Sequence, residues 1–162
     1  MRKETKKKIL LFTVAIVIPL AVGGLSALLT AGNMNIYGEL VTPPGSPPSA
    51  LFPIAWTALY ILMGVSSGIV WYRQRIDKKS ADAGVCFYIL SLAFNFVWSI
   101  LFFNMRLFTF SFVWLCALLL LIVLTAVKYR KVSKTAAYLQ IPYILWVAYA
   151  GYLNLGISIL NK

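Results

Sequence analysis

Five uncharged apolar runs dominate this chain: Ile9–Ala31, Leu51–Tyr72, Ala83–Phe103, Leu107–Val127 and Ala136–Leu160. Each is close to the roughly 20 residues that an α-helix needs to cross the hydrocarbon core of a bilayer. No Asp, Glu, Lys or Arg interrupts any of them. Only 12% of the chain is charged and 61% is hydrophobic, against about a quarter charged in a soluble domain. So little charge cannot cover a water-soluble surface, and the surplus apolar surface must face lipid. The expected fold is all-α: an integral membrane bundle of five transmembrane helices, formed as one domain over residues 1–162.

The charges sort by side. Arg2, Lys3, Lys6, Lys7 and Lys8 precede the first run; Arg73, Arg75, Lys78 and Lys79 follow the second; Lys128, Arg130, Lys131 and Lys134 follow the fourth. These thirteen basic residues share one side, and only Arg106 and Lys162 fall on the other. Basic residues accumulate on the cytoplasmic side of membrane proteins. The expectation is a multi-pass cell-membrane protein with its N-terminus in the cytoplasm and its C-terminus outside. The same clustering accounts for the net charge of +11 without nucleic acid, since no basic and aromatic stripe follows a phosphate backbone. A cleaved signal peptide is disfavoured, because the first run exceeds the usual 7–15-residue apolar core of such signals. Pro19 and Gly23-Gly24 within that run point to a bend or a close helix contact.

Chemistry has few places to sit. There is no histidine, and Cys86 and Cys116 both lie inside apolar runs without metal-ligand spacing, so no metal site is expected. Proton pumps, ion-coupled carriers and voltage sensors place ionisable groups within the membrane, and these spans have none. No P-loop, HExxH or GxSxG pattern occurs. What remains is aromatic and weakly polar. Trp56, Tyr60, Met63 and Ser67 fall on one helical face of the second run; Tyr88, Ser91, Asn95, Trp98 and Phe102 on one face of the third; Leu139, Pro142, Trp146, Tyr149, Ala150 and Leu153 on one face of the fifth. Such faces serve either a bundle core or a ligand site. Trp98 and Trp146 lie well inside their runs rather than at the interfaces where Trp concentrates, and an intramembrane Asn95 needs a hydrogen-bond partner. A flat, aromatic-lined site suits a planar apolar molecule. The first and fourth runs read as packing and lipid-facing walls. Gly64 and Gly68 form a GxxxG pair, assigned to packing within the chain rather than between copies. The long connection 32–50, with Pro43, Pro44, Pro47 and Pro48, is expected to be non-helical, and is either a lid or a passive linker.

Three ordered blocks carry a resemblance. They are Pro47-Pro48 with Phe52-Pro53-Ile54-Ala55-Trp56-Thr57-Ala58-Leu59-Tyr60; Ala93-Phe94-Asn95 with Trp98; and Pro142-Tyr143-Ile144-Leu145-Trp146 with Leu153-Asn154. Together they resemble the TspO/MBR family, the family of translocator proteins, tryptophan-rich sensory proteins and peripheral-type benzodiazepine receptors. The resemblance implies a five-helix bundle whose pocket opens toward the long first loop. It implies binding of porphyrins, notably protoporphyrin IX, and of synthetic benzodiazepine- and isoquinoline-type ligands, with no resident cofactor. By matched position the ligand-binding residues are Tyr37, Pro47, Phe52, Trp56, Tyr60, Asn95, Trp98, Trp146 and Ala150. Trp56 and Trp146 match tryptophans implicated in light-dependent porphyrin breakdown in some relatives, so they would be the catalytic pair if the protein were an enzyme. The partners implied are the lipid bilayer, a planar hydrophobic small molecule and a second copy in a homodimer.

The loop departs from the family pattern WYxxLxKPxWxPPxW. Here it runs Ile36-Tyr37-Gly38-Glu39-Leu40-Val41-Thr42-Pro43-Pro44-Gly45-Ser46-Pro47-Pro48-Ser49-Ala50, so Ile, Pro, Gly and Ala stand where aromatics or tryptophan are usual. The expected lid is therefore thinner, with porphyrin affinity weakened or retuned. No basic residue follows Tyr152 before Lys162, so the cholesterol motif of mammalian members is not carried over. The absence of histidine favours metal-free porphyrin over haem. The leading reading is a binding protein acting in transport, sensing or stress regulation; the alternatives are a photo-oxidative porphyrin-degrading enzyme and a ligand-free scaffold.

Overall fold

Apolar length and backbone self-satisfaction dictate the architecture, and the computed structural model bears this out over its described residues, 2–161. The Lys162 charge and the Arg2 side chain lie outside what is described. Five membrane-length helical segments are present among the described residues: α1 (Arg2–Thr30), α3 (Leu51–Arg73), α4 (Lys78–Ser99, continued by a π-helical turn Ile100–Asn104), α5 (Phe108–Val132), and the pair α6 (Lys134–Tyr138) and α7 (Ile141–Leu160). The basic residues expected in connections mostly prolong helices. Lys3–Lys8 lie on α1, Lys78 and Lys79 open α4, and Lys128–Lys131 close α5. Lys and Arg are good helix formers, and their long stems cover apolar surface while the charges reach water.

The 32–50 connection is not wholly irregular. A 3₁₀ turn (Ala31–Asn33) and one helical turn, α2 (Ile36–Glu39), precede the prolines. Helix formation stops at Leu40, which is extended, and only the proline-rich half lacks helix. The prolines act where φ is fixed and amides are missing; the residues before them remain free to coil.

The GxxxG pair works within the chain. A Cβ on Gly64 would stand 2.6 Å from the Ile16 Cα and 2.7 Å from the Ala15 carbonyl oxygen, so the backbones of α1 and α3 meet there. Deeper along the same seam the Tyr60 ring lies against Gly23; this is the close contact that the glycines of α1 foreshadow. The Lys8 ammonium sits 4.9 Å over the Tyr72 ring, which fixes the N-terminal end of α1 beside the C-terminal end of α3. α4 packs along α5, and α5 along α7. α1 and α5 are the least buried spans, as expected of lipid-facing walls. Cys86 and Cys116 are free and exposed.

At the basic end, Asp77 caps α4 by accepting the Ser80 amide at 2.9 Å. The hydrogen bonds from the Ser80 backbone, then its side chain, hold the Asp77 carboxyl below its usual range, with smaller help from Lys131 and Lys128.

Candidate ligand site

Trp56 stands one and a half turns inside α3, and the other elements bring rings to it. Tyr60, one turn further, stacks on it with centroids 5.6 Å apart. From α4, Trp98 lies 6.4 Å away; from α7, Tyr143 meets it edge-on at 6.2 Å and Trp146 edge-on at 6.5 Å. Phe52 continues the chain of rings from Trp146, at 6.1 Å, to Tyr37 of α2, at 5.1 Å. Each such pair contributes about 0.5–1.5 kcal/mol beyond its buried area. The rings touch one another directly.

The polar groups among these rings are few and unevenly satisfied. Asn95 donates to the Tyr60 hydroxyl at 2.7 Å. The Trp98 indole donates to Asn154 at 3.2 Å, and Asn154 in turn donates to the Phe108 carbonyl at 2.8 Å, tying α4, α7 and α5 together. Four other buried atoms have no partner: the Tyr88 and Tyr143 hydroxyls, Asn95 Oδ1 and Trp146 Nε1. The great majority of buried polar groups are hydrogen-bonded, so four around one aromatic cluster mark a place able to address a polar edge of a guest. The Tyr37 hydroxyl is also buried without a partner. Burial pushes its phenol above the ordinary value, against a smaller opposing effect of the nearby Ser46 side chain.

Seven of the nine expected residues (Tyr37, Phe52, Trp56, Tyr60, Asn95, Trp98 and Trp146) form this connected set. Ala150 is buried on α7 within the same core. Pro47 is half-buried in the loop and takes no part in the ring contacts. Two members were not anticipated as site residues, Tyr143 and Asn154, and a third such residue, Tyr88, is buried in the same core. All three were within view, Tyr143 and Asn154 inside the sequence blocks and Tyr88 on the α4 stripe. The fifth-run stripe needs correction as well. Pro142 is exposed, and the buried face of α7 runs through Tyr143, Val147, Ala150, Leu153, Asn154 and Ile157. The break between α6 and α7 at Leu139 and Gln140 resets the helical phase, so a stripe extrapolated across it starts one residue early.

The proline-rich half of the loop is a strap along α7. Asn161 clamps Val41 through two hydrogen bonds, accepting its amide and donating to its carbonyl, each at 2.9 Å. Pro43 is seated over Gly156. Tyr152 donates to the Pro44 carbonyl at 2.9 Å and Tyr149 to the Gly45 carbonyl at 2.8 Å. Gly45, at φ 81°, supplies the turn that the strap needs there.

The sequence that builds this site has known relatives. A profile of the TspO/MBR family matches residues 15–160. The chain belongs to that family. It is 36% identical over 160 residues to the tryptophan-rich protein TspO of Chlorobaculum tepidum, covering 96% of this chain and 98% of that one. It is 32% identical over 151 residues to the protein CrtK of Rhodobacter capsulatus, covering 93% and 92%. It is 36% identical over 118 residues to the translocator protein of Ovis aries, covering 73% and 70%. The strap, the ring cluster and Asn154 all lie inside the matched region of the TspO/MBR family.

Proposed function

We propose that this membrane protein binds flat hydrophobic tetrapyrroles, with protoporphyrin IX as the reference ligand, between Trp56 and Trp146, and serves in their transport, sensing or stress-linked handling. The observation that carries the reading is the convergence of rings from α2, α3, α4 and α7 on a single centre, with four buried polar atoms around it that lack partners. Among the described residues no carboxylate, ammonium or guanidinium enters the cluster, so the site suits binding by stacking and neutral hydrogen bonds. Family membership supports the reading, and the basic end of the bundle supports an orientation with that end in the cytoplasm.

The test is a titration of the purified protein with protoporphyrin IX, following tryptophan fluorescence. Trp56→Phe and Trp146→Phe are each expected to weaken binding roughly two- to tenfold, the equivalent of one aromatic contact. Unchanged isotherms in both variants would remove this site from consideration. A specific observation favours a second reading: the two indoles are 6.5 Å apart, so one bound macrocycle would touch both. Illumination of the complex in air would decide it. Porphyrin absorbance decaying no faster than in empty detergent excludes photo-oxidative breakdown.

A further inference from the structure

α3 and α4 are joined by only four residues, 74–77, yet make few direct contacts below that turn. They leave a groove of about 450 Å³ on the outer flank of the bundle, at its basic end. The groove is graded. Gln74 and Asp82 stand at its mouth, and Trp71, Val85, Ile89 and Leu90 line it inward. Asp82, Val85 and Ile89 follow one face of α4, so the lining runs along the helix for about 10 Å at 1.5 Å per residue. Trp71 is half-exposed at the level where indoles meet lipid headgroups.

The mouth carries an unusual charge for its surroundings. Three acidic residues, Glu4, Asp77 and Asp82, belong to an end that holds thirteen basic ones. Asp77 is used as the cap of α4. The exposed Asp82 carboxylate makes no hydrogen bond or ion pair among the described residues, although Arg75, Lys78 and Lys79 are close to it in sequence. An exposed carboxylate at the head of an apolar channel, with three cations within seven residues of it in sequence, is complementary to a zwitterion with an alkyl tail.

We infer that this groove binds one acyl chain of an aminophospholipid, with its primary ammonium at Asp82 and its phosphate among Arg75, Lys78 and Lys79. A primary ammonium donates charge-assisted hydrogen bonds to the carboxylate. A choline headgroup has no N–H to donate and is the weaker occupant. The groove is separate from the aromatic cluster and shares no residue with it.

The full chain is reconstituted in phosphatidylcholine vesicles containing increasing fractions of dibromo-acyl phosphatidylethanolamine or, in parallel, dibromo-acyl phosphatidylcholine. The Trp71 signal is the difference between the chain and its Trp71→Phe variant. The brominated ethanolamine lipid is expected to quench Trp71 at a roughly two- to fivefold lower fraction than the choline lipid, the selectivity of one exposed ion pair. Asp82→Asn abolishes the difference and Asp82→Glu retains it. Equal quenching by both lipids in the unsubstituted chain overturns the assignment, as does a preference that survives Asp82→Asn. Quenching by neither lipid, together with Cys86-to-Cys86 cross-linking by a short bis-maleimide in a Cys116→Ser background, places a second copy in the groove and likewise overturns it.

Discussion

Replacing Gly156 with alanine sets two effects against each other at one position. In the interior of α7 the change gains about 0.8–1 kcal/mol of helix propensity. The new Cβ, however, would stand 2.6 Å from both Cβ and Cγ of Pro43, well inside contact, and a proline ring cannot swing aside. Overpacking of this kind costs about 1–3 kcal/mol. Helix and strap therefore respond in opposite directions. The strap is held by the Val41–Asn161 pair and by the Tyr152 and Tyr149 hydroxyls, each bond worth about 0.5–1.5 kcal/mol net. Losing 1–3 kcal/mol weakens its docking without abolishing it. The expected signature is a melting temperature that is unchanged or slightly lowered, with Val41 amide exchange roughly 5- to 150-fold faster. Hydrogen-exchange mass spectrometry of the loop peptide reads this directly, because the four prolines leave few amides in it and the Val41 amide is the one held by α7. Asn161→Ala removes both clamp bonds without adding bulk and should accelerate the same amide. If exchange rises in Asn161→Ala but not in Gly156→Ala, Pro43 does not seat the strap. If neither variant changes it, the strap is not docked in solution.

Other perturbations test the bundle itself. Tyr60→Phe strands the Asn95 amide that donates to it and is expected to destabilise by about 1–3 kcal/mol; pairing it with Asn95→Leu should recover part of the loss in thermal melts. Gly64→Ala drives a Cβ into the α1 backbone, which cannot yield as a side chain would. A loss of about 1–3 kcal/mol is expected in monomeric detergent preparations, whereas a glycine that served only dimerisation would leave the monomer's stability unchanged. Asp77, whose folded-state pKa is lowered, contributes stability above the unfolded carboxylate value and loses it as pH falls through the folded one. Asp77→Asn should flatten that part of an acid melting profile, and an unaltered profile would assign the acid sensitivity elsewhere.

How far the sequence carries differs from element to element. The spans were legible because uninterrupted apolar length has one physical outlet in a bilayer. The α4 stripe was also legible: Tyr88, Ser91, Asn95, Trp98 and Phe102 are all buried, since nothing breaks the helical period between the first of them and Trp98, and the π turn begins only two residues later. The α7 stripe was legible only after the break at Leu139 and Gln140, which is a tertiary event: Gln140 turns inward to donate to Ser66 of α3 at 2.9 Å, and Ser66 donates to the Ala136 carbonyl at 2.8 Å. The docking of Pro43 on Gly156 left no periodic trace, because it depends on the fit of two residues far apart in the chain. Glycine in a transmembrane helix is common, and only the structure distinguishes this one from an ordinary packing glycine.

The strap also alters what the missing loop tryptophans mean. Counting rings in the loop alone suggests a thin lid, but α7 continues past the first turn of α3. Phe52 at the start of α3 faces Trp146, and α7 runs another eleven residues beyond Tyr149, about 16 Å. The loop must cover that distance alongside α7, and α7 holds it with its own aromatic residues. The Tyr149 ring packs 5.8 Å from Trp146 while its hydroxyl binds the strap at Gly45. The Tyr152 ring stacks 6.5 Å from Tyr149 while its hydroxyl binds Pro44. The aromatic cover absent from the loop is thus supplied by the helix beneath it, and one residue, Tyr149, belongs to both strap and cluster. Releasing the strap frees the Tyr149 hydroxyl and removes a restraint from the ring that supports Trp146. Tyr149→Phe should therefore weaken the strap's hold at the Gly45 carbonyl, read as faster Val41 amide exchange, while leaving the ring contact in place, and Tyr149→Ala should loosen both. If Tyr149→Phe is quenched by protoporphyrin IX as the unsubstituted chain is, strap and cluster act independently.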